Sequence, residues 1–314
     1  MPATTGLLRC EAMGSHPQVI NVASVPHRSP FRYPGGKTWL VPYVRQWIGS
    51  LGRHLHEFAE PFAGGGIVGL SVLFEGLAQK LTLVEIDRDV GAVWRTILSI
   101  QGERLASQIV SFSLSDHEVK ASLSKTPDNQ FERAFQTILR NRVQRGGIMA
   151  PGAGLVKQGE NGRGLASRWY PKTLERRILG IFENRHRIRF RQGDGLEFIR
   201  ENASRNDIAF FIDPPYTVAG RRLYRHSVVD HDELFQVTAS VRGDFLMTYD
   251  NAAPICELAK KFNLETHLVP MKSTHHAIMN ELLVGRDLAW ARELLELGQD
   301  ALFENVKANG HAGR

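Results

Sequence analysis

Apolar positions change period several times along the chain, and each change predicts an element. Behind the turn "PGGK" (34–37), the stretch "TWLVPYVRQWIGSL" carries apolar residues at helical spacing, with Pro42 tolerated in the first turn. "HLHEFAEPF" predicts a short strand running into "AGGG" (63–66). "IVGLSVLFEGL" reads as a helix, and "KLTLVEID" as a β-rich run ending in acids. Another helix is expected over 88–99. Strand, glycine-rich turn, helix and strand in that order open an α/β doubly wound sheet.

The rhythm then breaks. Residues 101–145 read as mostly helical, and "RGGIMAPGAGLVKQGENGRGLASRWYP" is a long glycine-rich loop, a kind of segment that is usually functional or disordered. Alternation resumes at "RIRFRQGDGLEFI", a strand, a turn at 193–194 and a helix, followed by the strand "IAFFID" (208–213). "DHDELFQVTASV" begins a helix whose Asp230 and Glu233 fit a capping box. "DFLMTYDN" and "MNELLVGRDL" read as later strands, with a helix from about residue 288. Residues 1–28 show no sustained period and are expected to form a flexible arm. The α/β body is expected over 29–100 and 190–292, an inserted region over 101–189, and a C-terminal helix and tail over 293–314.

Charge sharpens this division. The 314-residue chain carries +6, yet residues 133–191 hold fourteen Lys/Arg against three Glu, a net of +11. A basic segment on a slightly acidic body suggests a polyanionic partner, although a solvated helix face would look the same. Cys10 and Cys256 lie far apart without ligand spacing and read as separate thiols of a reducing compartment. No apolar run has the length of a membrane span and no signal peptide is evident, so a cytoplasmic location is expected. His54, His56, His275 and His276 lack carboxylate or cysteine partners at ligand spacing, and no metal is expected.

Three acids stand at predicted strand ends. "GGGIVG" (64–69) satisfies G-x-G-x-x-G and Glu85 follows 21 residues after Gly64, which fits a dinucleotide fold. Glu60 and Pro61, immediately before the glycines, tilt the choice: an acid there repels a pyrophosphate and attracts a cationic group. Glu60, Glu85 and Asp194 together suit the sulfonium and amine of S-adenosylmethionine (SAM) better than a nicotinamide dinucleotide. Further on, "FFIDPPY" ends an apolar strand in an acid and two prolines. An adenine amine is a poor nucleophile, and methylating it requires acceptors for its N–H protons. Asp213 supplies a carboxylate and Pro214 a carbonyl. The rings of Pro214 and Pro215 fix φ and remove two backbone donors, so nothing local neutralises these acceptors. Tyr216 offers a face for stacking an extruded base.

With these residues in place, the chain resembles the Dam-type (D12 class, α-group) DNA adenine N6-methyltransferases. The matching elements are "FRYPGGK", "FAEPFAGGG", "LVEID", "QGD", "DPPY" and the closing "NELLVGRDL". The resemblance implies a Rossmann-like SAM-dependent methyltransferase sheet with helices on both faces and an inserted, mostly helical and loop target-recognition region. It implies that Phe31, Tyr33 and Lys37 line the methionine end of the cofactor, beside Glu60, Pro61, Phe62, Gly64 and Gly66. Glu85, or else Asp87, would hold the ribose, with Ile86 between them also lining the cofactor, and Asp194 would hold the cofactor adenine. Asp213, Pro214, Pro215 and Tyr216 would hold the target base. Arg140, Arg142, Arg145, Arg168, Trp169 and Tyr170 put cations beside aromatics in the recognition region, as expected for phosphate and base contacts; Trp169 and Tyr170 read equally well as anchors of their own loop. The implied partner is duplex DNA, bound by a monomer that flips the adenine out of the stack, with no membrane and no metal. An RNA adenine methyltransferase, a nicotinamide oxidoreductase and an inactive nucleic-acid binder remain alternatives.

Overall fold

The computed structural model describes residues 25–32, 36–147, 154–159, 162–215, 229–272 and 278–293. Its strands are β1 (Leu55–Glu60), β2 (Ala78–Glu85), β3 (Ile188–Gln192), β4 (Ile208–Ile212), β5 (Asp244–Asp250), β6 (Glu265–Lys272) and β7 (Ile278–Gly285). They form one sheet in the order β3-β2-β1-β4-β5-β7-β6. The first five are parallel, and β7 runs antiparallel to both of its neighbours, β5 and β6. The chain leaves β1 toward β2 on one side and returns to β4 on the other. The strand order therefore reverses between β1 and β4, and the crevice outside their carboxyl ends is where such sheets hold ligands.

Period-two alternation assigns side chains to opposite faces. On one face Phe58, Leu81, Ala209, Phe211 and Leu246 pack under α1 (Val41–Ser50), α2 (Ile67–Phe74) and α3 (Arg88–Ile97). On the other, Ala59, Val84, Phe210, Ile212 and Met247 pack under α8 (Gly195–Glu201), α9 (His231–Ser240) and α10 (Ala253–Lys261). Burial on both faces explains why "IAFFI" reads as a continuous apolar run. Between β2 and β3 the chain adds α4 (Gly102–Ser111), α5 (Asp116–Ser124), α6 (Gln130–Val143) and α7 (Pro171–Glu183). Leu105, Ile109, Ile138, Leu174 and Ile178 of these helices join the core beneath α3.

The expected α/β order is found, with helices on both faces and the capping contact from the Glu233 N–H to Asp230 at 3.0 Å. β6, α7 and α10 are additions to the reading. Cys256, in α10, is buried with its Sγ 3.7 Å from Asn251 Oδ1; Cys10 lies outside the described residues, as do His275 and His276. Among the described residues no helix is long and apolar enough to cross a membrane, and no group of potential ligands gathers as a metal site would.

Candidate active site

The carboxyl ends of β1, β2 and β4 bring the predicted acids to one edge of the sheet. β1 ends at Glu60, whose carboxylate accepts from the Gly69 N–H near the start of α2. Between them the glycine loop turns sharply. Gly64 and Gly66 have φ of 45° and 59°, in the left-handed region open to glycine. A Cβ on Gly66 would also stand 3.1 Å from the Trp94 ring. Trp94 supports the loop from below, donating its indole N–H to the Gly64 carbonyl at 2.9 Å.

Glu85 ends β2 and ties the loop from the other side, accepting the N–H of Gly64 at 2.9 Å and of Asp87 at 2.8 Å. Burial pushes both acids up, Glu60 to about 8 and Glu85 to about 7, against the pull of the backbone N–H groups. Two carboxyl groups whose charge is disfavoured by burial would be stabilised in their ionised form by a positive ligand. Ile86 beside them is 43% exposed, an apolar surface of the kind on which a base or sugar can lie. Across the cleft, α8 starts so close to β1 that a Cβ on Gly195 would stand 2.2 Å from the Pro61 carbonyl, and Phe62 lies in the same contact. Asp194 caps α8, accepting the Glu197 N–H at 3.0 Å. The donor set and the glycine cradle thus fit a cationic nucleoside such as SAM.

Asp213 follows β4 directly, with Pro214 buried and Pro215 partly exposed behind it. Its Oδ1 takes the Thr248 hydroxyl at 2.9 Å and the Lys37 ammonium at 3.0 Å. Lys37 is buried, 6% exposed, and its Nζ lies 3.0 Å from Glu281 of β7 as well. Burial works against the ammonium, yet the two carboxylates outweigh it and raise its pKa. Lys37 is therefore a fixed cation of the site. Glu281 is itself raised by burial, with Lys37 opposing. Behind this cluster Tyr249 is fully buried and meets His231 Nδ1 at 3.0 Å. Thr248, Glu281 and Trp94 were not singled out from the sequence. Glu281 had a signal, an acid opening the apolar run "ELLV".

Several predicted residues stand elsewhere. The Phe31 ring is in the core, 4% exposed and 6.0 Å from the Trp94 ring, so it supports the loop rather than lining an open cleft. Asp87 caps α3 through the N–H groups of Asp89 and Val90. Arg142 is corrected from a phosphate contact: it is 4% exposed and donates to the Pro30 carbonyl. Its neighbour Asn141 holds Arg32 through both backbone groups, at 2.8 and 2.7 Å. The end of α6 thus anchors the segment that leads to Lys37. Trp169 is corrected likewise. It is 7% exposed and packs edge-on to Phe112 at 5.8 Å, because a large ring on this loop gains most by joining the core.

Arg140 lies 3.8 Å from Asp89, Arg168 is half-buried, and Arg145 and Tyr170 are exposed. The Tyr170 hydroxyl donates to the Ser167 carbonyl at 2.7 Å. Tyr33 and Tyr216 lie outside the described residues. His54 and His56 turn separately to Gly76 and Gln79.

No curated protein matches the chain. Among solved structures it is similar to a methyltransferase from Geobacter sulfurreducens, with 11% identity over 79% of this chain and 76% of that one and a TM-score of 0.34. It is also similar to M. capricolum TrmK in complex with S-adenosyl-homocysteine, with 8% identity over 77% and 68% and a TM-score of 0.34. Spermidine synthase from Thermotoga maritima gives 10% identity over 88% and 62%, with a TM-score of 0.35. At these scores no argument passes from those structures to this chain. The family comparison is more specific: residues 33–145, which hold the glycine loop, Glu60, Glu85 and Lys37, match the D12 class N6 adenine-specific DNA methyltransferase model, and the resemblance read from the motifs is thereby borne out over that span.

Proposed function

We propose that this chain transfers a methyl group from SAM to the N6 amine of an adenine rotated out of duplex DNA. The observation that carries the reading is Asp213, at the carboxyl end of β4 beside the strand-order reversal, with its Oδ1 held by both Lys37 and Thr248. An acceptor fixed this firmly needs no reorganisation when an amine arrives. The family match over 33–145 supports SAM-dependent methyl transfer as the reaction class.

When bound, SAM supplies an electrophilic methyl on a sulfonium. Glu60 and Glu85 would hold its positive end and its ribose through their carboxyl groups, Ile86 would cover an apolar face, and Asp194 would accept from its adenine. Asp213 and the Pro214 carbonyl accept hydrogen bonds from the N–H groups of the target amine. That draws electron density back onto the nitrogen and sets its lone pair toward the methyl. Tyr216 stacks on the flipped base. The cations of 101–189 supply phosphate contacts, with exposed Arg145 and Tyr170 nearest in character to a DNA surface and Arg168 beside them.

The test is transfer of labelled methyl from SAM into unmethylated duplex DNA and, in parallel, structured RNA, followed by nucleoside analysis. N6-methyladenine in the DNA digest is the expected outcome. Label in RNA alone would move the same acceptors to an RNA substrate. Label in neither nucleic acid, with SAM bound, would overturn the proposal.

A further inference from the structure

We propose that Glu281 is a positioning residue for the transfer, holding Lys37 so that Asp213 Oδ1 stays oriented to accept the amine. This rests on the functional reading above.

The geometry is a shared ammonium. Lys37 Nζ lies 3.0 Å from Asp213 Oδ1 and 3.0 Å from Glu281 Oε1, with all three groups at the end of the sheet and Lys37 and Glu281 6% and 4% exposed. Paired with Asp213 alone, a buried ammonium would satisfy that carboxylate and compete with the substrate's N–H for it. A second carboxylate on the same ammonium weakens that competition while leaving Lys37 able to orient Oδ1 together with Thr248.

The position of Glu281 argues that the acid serves the site. Its chain neighbours Leu282, Leu283 and Val284 are fully buried apolar residues, and it faces Asp250 on β5 and Val269 on β6 in the ladder. An apolar side chain at 281 would avoid the desolvation cost of a buried carboxylate. β7 is the strand that runs backwards, so its amino-terminal half reaches the catalytic edge and can present Glu281 to Lys37 from the side opposite β1.

The experiment compares wild type, Glu281→Gln, Glu281→Asp, Lys37→Gln and the Lys37→Gln/Glu281→Gln double variant. It measures kcat and KM on unmethylated duplex DNA, SAM affinity and thermal melting. Glu281→Gln is expected to lower kcat by about tenfold to a hundredfold, with SAM affinity and KM for DNA within about twofold. Glu281→Asp should recover part of the loss. In the Lys37→Gln background, Glu281→Gln should add less than about twofold, because its effect passes through Lys37. Wild-type kcat in Glu281→Gln, or losses that multiply in the double variant, would overturn the proposal. Should Glu281→Gln fail to fold, Glu281→Asp decides: lower kcat at unchanged SAM affinity supports the role, and unchanged kcat refutes it. A wild-type enzyme that binds SAM but methylates no DNA overturns the substrate reading instead, and the inference with it.

Discussion

Asp213 accepts the Thr248 hydroxyl and the Lys37 ammonium on one oxygen, so replacing it removes an acceptor without touching the glycine loop. Asp213→Ala is expected to keep SAM affinity within a few-fold and to lower transfer by about a thousandfold or more, measured by single-turnover methylation. Gly66 behaves differently. A side chain there meets both a φ of 59° and the Trp94 ring. Gly66→Ala should cost about 1–2 kcal/mol of stability and weaken SAM binding, read by denaturant titration and isothermal calorimetry.

The two loop acids give a pH dependence. Their folded pKa values, about 8 for Glu60 and about 7 for Glu85, lie above the ordinary 4.5. Their contribution to stability is therefore fully present below about pH 4.5 and is lost as pH rises through 7 and 8. A cationic ligand favours the ionised forms, so SAM affinity should fall as pH drops from about 8.5 to 6. Glu60→Gln should flatten the affinity profile. A profile unchanged by Glu60→Gln would place the titrating group elsewhere.

Most elements were legible where the period was clean. β1, β2 and β4 declared themselves as apolar runs ending in acids, and Glu60, Glu85 and Asp213 meet at one edge of the sheet. The misses have physical causes. β6 carries Pro270 and His267, which argue against a strand, but β6 is an edge of the sheet, where a missing backbone donor is tolerated. α7 hid behind its cations, although Leu174, Ile178 and Ile181 are spaced as one buried helical stripe. α10 offers only nine residues. Glu281 and Thr248 could not be assigned because their role depends on β7 and β5 meeting Asp213, which is a matter of strand order. Counting cations and aromatics overreached for Arg142 and Trp169, since composition does not reveal which side chains turn to the core. These two should therefore behave as core residues. Trp169→Ala is expected to cost about 3–5 kcal/mol, visible as a large drop in melting temperature before any specific effect on DNA affinity.

At the scale of the whole molecule, charge separates from chemistry. Glu60, Glu85, Asp213 and Glu281 stand at one edge of the sheet, and the excess of cations lies in residues 133–191, from α6 to β3. DNA affinity should accordingly fall steeply with salt, and removing the exposed Arg145 should reduce the slope of log K against log salt by about one. SAM affinity of that variant should not change. A slope unaffected by Arg145→Ala would remove that residue from the phosphate contacts.

The backward strand has a consequence for synthesis. Lys37 comes from the first element of the fold and Glu281 from the last strand of the sheet, so the cluster around Asp213 closes only when the two extremes of the described chain have met. A polypeptide still emerging from the ribosome can complete its glycine loop early, yet the pair of Lys37 and Asp213 lacks its second carboxylate until β7 has been made. Such long-range closure is slow to form. On the proposed reading, methyl transfer by unfinished protein is thereby disfavoured by the order of the strands alone.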